Sequence, residues 1–384
     1  MNASFLDLCE AVAARHGIPA LQVATVGPAG TLAAAWGCGG DDRFRIASIT
    51  KPLTASLALQ VLDLEAATGL WPDDVRVRHL LSHTSGYDGE LGDLARFGDG
   101  DDALGALAAE LPRARRHLGV DIVWSYANTG YWLAGHLAAA AAGTTYEDAL
   151  AERVLRPAGL EATGFGEPTV PGTGPGASGA PYPRARRPSG GLVSTAADVL
   201  RFAQWHLAEP AWAAMRSPRG RPVRGVYGLG LAGERVGGVE VWGHGGSYGG
   251  YESSLLLVPS VGAALVALTN SGRGGRALDE LEDAWLESVL GVGRPVAATV
   301  AVSAAALAAV AGTYANSTLT ATVAPGGAGL VVAVEAPAGR FEVTARPIGR
   351  SRFEVVGGDE HGDRFDFPRS GFARLGGRLA ARVG

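Results

Sequence analysis

The chain has 384 residues, of which 47% are hydrophobic and 18% are charged. This balance is typical of folded proteins and excludes an intrinsically disordered one, while the length indicates one large domain and a smaller one. The formal net charge is −5, from 33 basic and 38 acidic residues, which argues against a nucleic-acid partner.

The cysteines and the first residues narrow the class of protein further. Cys9 and Cys38 are the only cysteines, and they show neither metal-ligand spacing nor a disulfide framework. We expect no cofactor and no metal. Residues 1–7 lack a basic region and a long apolar run, so they do not resemble a signal peptide, and the alanine-rich runs are too short to span a bilayer. We therefore expect a cytoplasmic protein without a membrane partner.

The N-terminal region predicts a helix followed by a hairpin. An amphipathic pattern covers residues 5–16. Two alternating runs, 21–26 and 31–36, flank the turn sequence Gly27-Pro28-Ala29-Gly30 and predict two antiparallel strands.

The next segment, Ile46-Ala47-Ser48-Ile49-Thr50-Lys51-Pro52, places a serine three residues before a lysine at the start of an apolar helical pattern. Residues three apart on a helix lie on one face, so the Ser48 hydroxyl and the Lys51 amine can meet. We expect this helix to end at Thr68-Gly69. A serine beside a lysine is a nucleophile beside a base.

Lys51 is the only lysine in the chain, because the 33 basic residues comprise 1 lysine and 32 arginines. An arginine cannot lose its proton in a protein, whereas a desolvated lysine can. A position that needs a removable proton would keep its lysine. The alternative, a surface lysine that follows a serine by chance, has odds of roughly one in twenty at ordinary serine content.

The middle of the chain is mostly helical, from residue 53 to about residue 205. The stretch 164–188 is rich in glycine and proline. Loops of this length are often lids or binding loops. An equally weighted alternative is a variable surface loop that takes no part in binding. Strand patterns then return at 239–242, 251–258 and 263–269.

A helix over 277–290 follows these strands, so strands at both ends of the region enclose a helical middle. This order predicts an α+β fold in which distant parts of the chain close one sheet beside a separate helical lobe. The composition changes at Gly291–Pro295, and we place the domain boundary there, with domains over 1–295 and 296–384.

The C-terminal domain predicts a small β-barrel or sandwich after a short alanine-rich helix near 302–310. Its brief alternating runs are separated by turn residues and cover 319–323, 330–334, 340–345, 352–356, 363–367 and 373–375.

Two further motifs carry chemistry. In Trp124-Ser125-Tyr126-Ala127-Asn128, a tyrosine and an amide two residues apart can point into one cleft, where Tyr126 can relay a proton and Asn128 can contact a substrate carbonyl. The tripeptide recurs at Tyr314-Ala315-Asn316, to which we assign a packing role.

The second motif, His244-Gly245-Gly246-Ser247, ends a predicted strand in glycines that allow close approach. The Ser247 N–H can donate to an oxyanion beside the Ser48 N–H. The other histidines that we weighed show no ligand-like grouping, and we expect structural roles for them: His79, His83, His117 and His136.

Taken in order, Ser48-Ile49-Thr50-Lys51, Tyr126-Ala127-Asn128 and His244-Gly245-Gly246-Ser247 resemble the three active-site elements of the class C β-lactamase and penicillin-binding-protein superfamily. Two more stretches, Leu80–Gly86 and Pro188–Thr195, support the resemblance, which covers about residues 1–290. It implies a β-lactamase/transpeptidase-like fold, an antiparallel sheet with helices plus a helical lobe. The C-terminal region is similar to the lipocalin-like barrel of several non-lactamase members.

The resemblance also implies roles for individual residues. Ser48 would be the acylated nucleophile, Lys51 its base or proton shuttle, and Tyr126 the second proton-transfer group. The expected substrate-binding and oxyanion residues are Asn128, His244, Gly246, Ser247 and, in the barrel, Arg378, where an arginine can hold a substrate carboxylate.

One departure from the pattern bears on the substrate. β-Lactamases usually carry Lys-Thr-Gly where this chain has His244-Gly245-Gly246. A histidine is mostly neutral at pH 7, so the anchoring of a drug carboxylate is weakened. Members with a His-x-Gly element include esterases, D-amino-acid peptidases and amide-forming acyltransferases of natural-product pathways.

We therefore expect a serine acyl-enzyme hydrolase that acts on a small-molecule or peptide ester or amide through Ser48. The first alternative is a transacylase or amide synthase that passes the acyl group to an amine. The second is a catalytically silent protein that binds a peptide or a cell-wall fragment.

Overall fold

The computed structural model describes residues 2–28, 30–336, 339–358 and 360–383. Within these residues, no helix combines the length and the apolarity needed to cross a membrane. The helices are α1 (Asn2–Arg15), α2 (Thr50–Val61), α3 (Val77–Leu81), α4 (Ala103–Glu110), α5 (Asn128–Ala142), α6 (Tyr146–Leu150), α7 (Arg187–Gly190), α8 (Ala196–Ala208), α9 (Gly275–Leu290) and α10 (Ala304–Val310).

The part of the chain before the barrel, residues 2–290 and here called the first part of the chain, forms one large antiparallel sheet and one small sheet. The strands are β1 (Leu21–Gly27), β2 (Gly30–Trp36), β3 (Phe44–Arg45), β4 (Gly164–Phe165), β5 (Leu192–Ser194), β6 (Val226–Tyr227), β7 (Ala232–Val236), β8 (Val239–Tyr248), β9 (Tyr251–Val258) and β10 (Ala263–Thr269). The large sheet has the order β2-β1-β10-β9-β8-β7-β6, and the small sheet has the order β3-β5-β4.

The large sheet joins distant parts of the chain, as the sequence predicts. Val23 of the N-terminal hairpin pairs with Ala267 of β10. The predicted hairpin is confirmed, although Ala29 in its turn lies outside the described residues. Helices α1 and α9 cover one face of the sheet, where Trp285 of α9 is buried and donates to the Thr25 hydroxyl at 2.7 Å.

The helical lobe packs around α2, which is buried along most of its length. Trp132 and Tyr131 of α5 are fully buried beside it. The helix ends at Val61, so the predicted end at Thr68-Gly69 is wrong. The chain turns at Asp63 instead, because its side chain accepts the Glu65 N–H at 2.9 Å and competes with the helical bonds.

The C-terminal part forms a closed barrel of eight strands. They are β11 (Gly312–Ala315), β12 (Thr320–Gly326), β13 (Gly329–Ala336), β14 (Gly339–Gly349), β15 (Arg352–Val356), β16 (Arg364–Arg369), β17 (Phe372–Leu375) and β18 (Arg378–Val383). Phe353, Phe365 and Phe367 fill its interior with ring centroids 5.5 to 6.1 Å apart. The last strand, β18, closes the barrel against β11 and was not predicted.

The barrel packs against the first part of the chain through polar contacts. Arg374 is buried and bonds to both oxygens of Asp366, at 2.9 and 2.6 Å, and to the carbonyl oxygens of Trp124 and Arg221, at 3.0 and 2.7 Å. The β17–β18 turn adds a further bond, because the Gly377 carbonyl accepts a backbone N–H of the Trp124–Asn128 segment at 2.9 Å.

The repeated tripeptide, Tyr314-Ala315-Asn316, packs within the C-terminal part itself. Tyr314 is buried and donates to the Val310 carbonyl at 2.9 Å, while Asn316 accepts the N–H groups of Thr318 and Leu319. The predicted packing role is confirmed.

We predict that Arg374→Leu destabilises the protein by about 3–5 kcal/mol, because it leaves Asp366 as an uncompensated buried charge. Urea denaturation followed by tryptophan fluorescence measures the effect. The matched control is Arg340→Leu, which removes an exposed pair with Glu335 in the same barrel and should cost less than about 1 kcal/mol. Equal unfolding midpoints for the two variants would contradict the assignment.

Candidate active site

Ser48 lies in a tight turn between β3 and α2. The turn is a 3₁₀ segment, Ala47–Ile49, that leads directly into α2. Ala47 has a backbone φ of +43°, a left-handed conformation that costs a non-glycine residue about 1–3 kcal/mol. The Ile46 carbonyl holds the turn by accepting the Ser253 hydroxyl at 2.9 Å. The strained turn leaves Ser48 partly accessible while its neighbours are buried.

The Lys51 amine lies one turn further along, fully buried. Its Nζ lies 3.1 Å from Ser48 Oγ and donates to the Ser189 carbonyl at 2.7 Å. Burial lowers the pKa of Lys51 well below its ordinary value, Arg378 and Arg186 add to the effect, and Glu90 partly opposes it. The amine therefore loses its proton more readily than an exposed lysine, and its lone pair can accept the Ser48 proton.

Tyr126 approaches the same serine from the loop before α5. Lys51 Nζ lies 4.7 Å from the centroid of the Tyr126 ring. Burial raises the pKa of the Tyr126 phenol, and its hydrogen bond to Ser48 and the charge of Arg378 offset only part of this rise. Tyr126 therefore keeps its proton at neutral pH and can donate it, whereas Lys51 is prepared to accept one.

Asn128 begins α5, and its amide nitrogen donates to the Glu90 carboxylate. This bond fixes the orientation of the amide, because a flipped oxygen would face a carboxylate. The Asn128 Oδ1 atom is then buried without a partner among the described residues. An unused acceptor on a residue that lines the same cavity as Ser48 is suited to a substrate N–H, in addition to the carbonyl contact expected from the sequence.

The register of β8 exposes one N–H group to the cleft. Tyr248 and Tyr251 flank a two-residue turn and form its hydrogen-bonded pair, so Ser247 belongs to a pair that does not bond to β9. Its N–H points to the other edge of β8, where the pairing with β7 stops at Ala232 opposite Gly243. The strand therefore offers the free donor that an oxyanion hole requires.

Gly246 allows β8 to lie directly against the nucleophile turn. A Cβ at Gly246 would lie 2.4 Å from the Ile46 oxygen and from Ser253 Oγ, and 3.0 Å from Ser48 N. No side chain fits into this space. The close approach brings the N–H groups of Ser48 and Ser247 to the border of one cavity.

His244 is neutral and its tautomer is fixed. Its Nδ1 lies 2.6 Å from the Gly245 carbonyl oxygen, so the ring proton lies there, and Nε2 accepts the Tyr227 O–H at 3.0 Å. Burial and the nearby Lys51 lower the pKa of His244 to about 3. His244 therefore supplies no positive charge to bind a substrate carboxylate. This agrees with the expectation from the sequence, where His244 replaces the lysine of Lys-Thr-Gly.

Positive charge enters the site from two arginines instead. Arg378, at the start of β18, and Arg186, beside α7, both donate to Oε1 of Glu90, at 3.0 and 3.5 Å. Arg378 Nη1 and Arg186 Nε are buried without a partner among the described residues. Two guanidinium groups share one carboxylate, which leaves a net positive charge next to Ser48.

These side chains line one cavity of about 510 Å³. The end of the 164–188 stretch forms one wall of it, where the Tyr182 and Tyr248 rings pack edge to face at 4.8 Å. The end of the stretch is thus part of the site, whereas its middle, residues 174–181, is exposed on the surface. The barrel forms the opposite rim through Gly376, Gly377 and Arg378.

Every site residue named from the sequence borders this cavity except Lys51, which is buried beneath Ser48. Sequence reasoning missed Glu90, Arg186 and Tyr182. For Arg186 a signal existed, because it lies two residues before the recognised Pro188–Thr195 stretch. No local pattern marks Glu90.

A family model described as Beta-lactamase matches residues 5–290. The chain belongs to the β-lactamase family. Within this family it is a serine hydrolase- or acyltransferase-type enzyme, with a β-lactamase/transpeptidase-like fold and a C-terminal barrel.

Solved structures and curated proteins give more specific similarities. The crystal structure of SurE with D-Leu is 27% identical, with a TM-score of 0.77, and the match covers 99% of both chains. A D-stereospecific amidohydrolase from Streptomyces sp. is 26% identical, with a TM-score of 0.61 over 73% of this chain and 98% of its own. Penicillin-binding protein 4 of Amycolatopsis lactamdurans is 28% identical over 314 residues, 66% of this chain and 79% of its own.

We predict that Gly246→Ala lowers activity by about 10²-fold or more, because the new methyl group displaces the Ser48 turn from β8 and disrupts the oxyanion donors. The matched control is Gly245→Ala, whose methyl group would lie no closer than 3.7 Å to another residue and should be tolerated. Steady-state kinetics with an activated ester measure both variants. Similar activities for the two would contradict the close approach.

We predict that Lys51→Arg lowers the rate of Ser48 acylation by about 10²–10⁴-fold, because it keeps a cation but removes the base. In the wild type only the neutral amine accepts a proton, so the rate falls as the pH drops through the Lys51 pKa. That pKa is lowered, so the fall lies well below 10.5. Stopped-flow acylation across a pH series measures it, and a wild-type rate that rises only near pH 10.5 would contradict the prediction.

Proposed function

We propose that this protein forms a covalent acyl-enzyme on Ser48 from an ester or amide whose acyl group carries a D-configured residue, and transfers that acyl group to water. The observation that carries the proposal is the buried Lys51 amine 3.1 Å from Ser48 Oγ, at the wall of an open cavity. A nucleophile beside a group of lowered pKa is the arrangement that covalent catalysis requires.

The acylation step uses three side chains. Lys51 accepts the Ser48 proton while Ser48 Oγ bonds to the substrate carbonyl carbon, and the N–H groups of Ser48 and Ser247 stabilise the oxyanion. Collapse of the tetrahedral intermediate breaks the bond to the leaving group. Tyr126 donates a proton to that leaving group and is reprotonated from Lys51.

The deacylation step reverses these roles. Water attacks the acyl carbonyl and its proton passes through the Tyr126 hydroxyl to the neutral Lys51 amine. The bond from Ser48 Oγ to the acyl carbon then breaks, and the proton returns from Lys51 to Ser48 Oγ. The acid product leaves. No charged residue has to move, because Lys51 and Tyr126 both lie against Ser48.

The stereochemical part of the proposal is supported by the relatives. SurE is described with D-Leu, and the amidohydrolase from Streptomyces sp. is described as D-stereospecific. Asn128 Oδ1 would accept an N–H of the bound acyl group, and Arg378 would contact a carboxylate or carbonyl of the substrate. We also propose that the domains divide at 295/296, so that the second domain contributes Arg378 to the site of the first.

The second candidate function is acyl transfer to an amine, and a second cavity favours it. This cavity, of about 710 Å³, meets the first at Trp124, Tyr126 and His244 and runs between the barrel and the first part of the chain. The side chains of Asp279 and Asp363 line it without a hydrogen-bond or ion-pair partner among the described residues. The arginines of its lining, Arg224, Arg294 and Arg364, are each paired with a carboxylate. Such a path suits a cationic amine that enters separately from the acyl donor.

The test is an intact-mass time course with D- and L-leucine nitrophenyl esters, a D-amino-acid amide and a penicillin, each with and without an added amine. We predict an adduct on the wild type that forms faster with the D-ester, and none on Ser48→Ala. The control Ser370→Ala removes an exposed serine of the barrel and should behave as the wild type.

Faster decay of the adduct in the presence of amine, together with an amide product, would show that the acyl acceptor is an amine and not water. An adduct that still forms on Ser48→Ala would contradict the assignment of Ser48 as the nucleophile. Specific binding without any adduct would favour a catalytically silent binder.

A further inference from the structure

His83 lies two residues after the end of α3, in a conformation that few residues adopt. It is buried, and its backbone φ of +59° falls in the left-handed region. Histidine is one of the non-glycine residues enriched there, together with asparagine and aspartate. The motif that contains it, Leu80–Gly86, has no part in the mechanism described above.

His83 contacts the residues on both sides of Tyr126. The His83 carbonyl accepts the Ser125 N–H at 3.0 Å, and the His83 Nδ1 atom accepts the Ala127 N–H at 3.0 Å. The imidazole ring itself packs on the Tyr126 ring, with centroids 4.4 Å apart. One residue therefore fixes the backbone before Tyr126, the backbone after it and its aromatic ring.

The neighbouring functional residue is held by other groups. Asn128 donates its backbone N–H to Gly89 at 2.9 Å, and its side chain binds Glu90. A change at His83 is thus expected to act on Tyr126 and to leave Asn128 in place.

The imidazole acts as a neutral acceptor. Because Nδ1 accepts a hydrogen bond, the ring proton lies on Nε2, which is buried without a partner among the described residues. The rings of Tyr131, Tyr227 and Trp124 surround it at centroid distances of 5.2, 4.9 and 5.7 Å. A phenylalanine would fill this space without an unpaired N–H, but it lacks the acceptor for Ala127.

We propose that His83 is a positioning residue for proton transfer, which holds the Tyr126 hydroxyl against Ser48 through its bonds to Ser125 and Ala127. The inference rests on the proposed function, in which Tyr126 donates to the leaving group.

The test measures single-turnover acylation of Ser48 by an activated ester in His83→Ala and His83→Asn. We expect His83→Ala to lose about 10- to 100-fold in acylation rate with little change in KM, because a misplaced catalytic group costs rate and not binding. We expect His83→Asn to retain most of the rate, since an asparagine oxygen can replace Nδ1 and tolerates the positive φ. The control His136→Ala changes a half-buried histidine of α5 outside the cavity and should leave the rate unchanged.

A second background separates positioning from general damage to the fold. In Tyr126→Phe the hydroxyl is already absent, so adding His83→Ala should change the rate by less than about twofold. If His83→Ala does not fold, His83→Asn against His83→Gln takes its place, because the longer glutamine amide reaches the Nε2 position and should lose about 10- to 100-fold.

Three results would overturn the inference: a wild-type rate in His83→Ala, an equal loss in both backgrounds, or equal rates for the asparagine and glutamine variants. Failure of the proposed function is distinguishable from these, because the wild type itself would then form no adduct on Ser48.

Discussion

The whole site depends on a lysine amine that is buried next to a serine. Lys51 bonds to the Ser48 hydroxyl and the Ser189 carbonyl, and it has no ion pair with a carboxylate among the described residues. Burial of a lone ammonium costs so much free energy that the group gives up its proton instead. The fold supplies this environment by enclosing α2 in the helical lobe. We propose that the neutral form of this amine makes Ser48 a nucleophile.

The barrel is part of the site as well as a neighbour of it. Its β17–β18 turn accepts the Tyr126 N–H through the Gly377 carbonyl and presents Arg378 to Glu90. Tyr126 is thus held from the barrel on one side and from His83 on the other. The position of Tyr126 therefore depends on contacts between residues more than 200 positions apart in the chain.

The sequence predicts those features that depend on short spacing. Ser48 and Lys51 are one helical turn apart, and the glycines after His244 permit a close approach that is visible in the sequence itself. Features that depend on tertiary contacts could not be predicted. The Glu90 carboxylate accepts hydrogen bonds from Asn128, Arg186 and Arg378, which are distant from it in the chain. No periodic pattern in the sequence predicts these contacts.

The boundaries that were wrong or missed have two different causes, one local and one tertiary. The helix α2 ends at Val61 because the Asp63 side chain bonds locally to the Glu65 N–H and so competes with the helical hydrogen bonds. The apolar pattern continues beyond this point, and for that reason the predicted end was too late. The strand β18 has a weak pattern of its own and is fixed by closure of the barrel against β11. The motif around His83 is recognisable in the sequence, but its contact with Tyr126 exists only in the folded chain.

Direct titration of Lys51 tests the central claim most directly. Because the chain has one lysine, protein made with lysine labelled with ¹³C at Cε gives one side-chain NMR signal, whose chemical shift against pH reports this pKa alone. We predict a pKa well below the ordinary 10.5. A signal that titrates near 10.5 in the folded protein would contradict the account, because Lys51 would then be charged at neutral pH and could not accept the Ser48 proton.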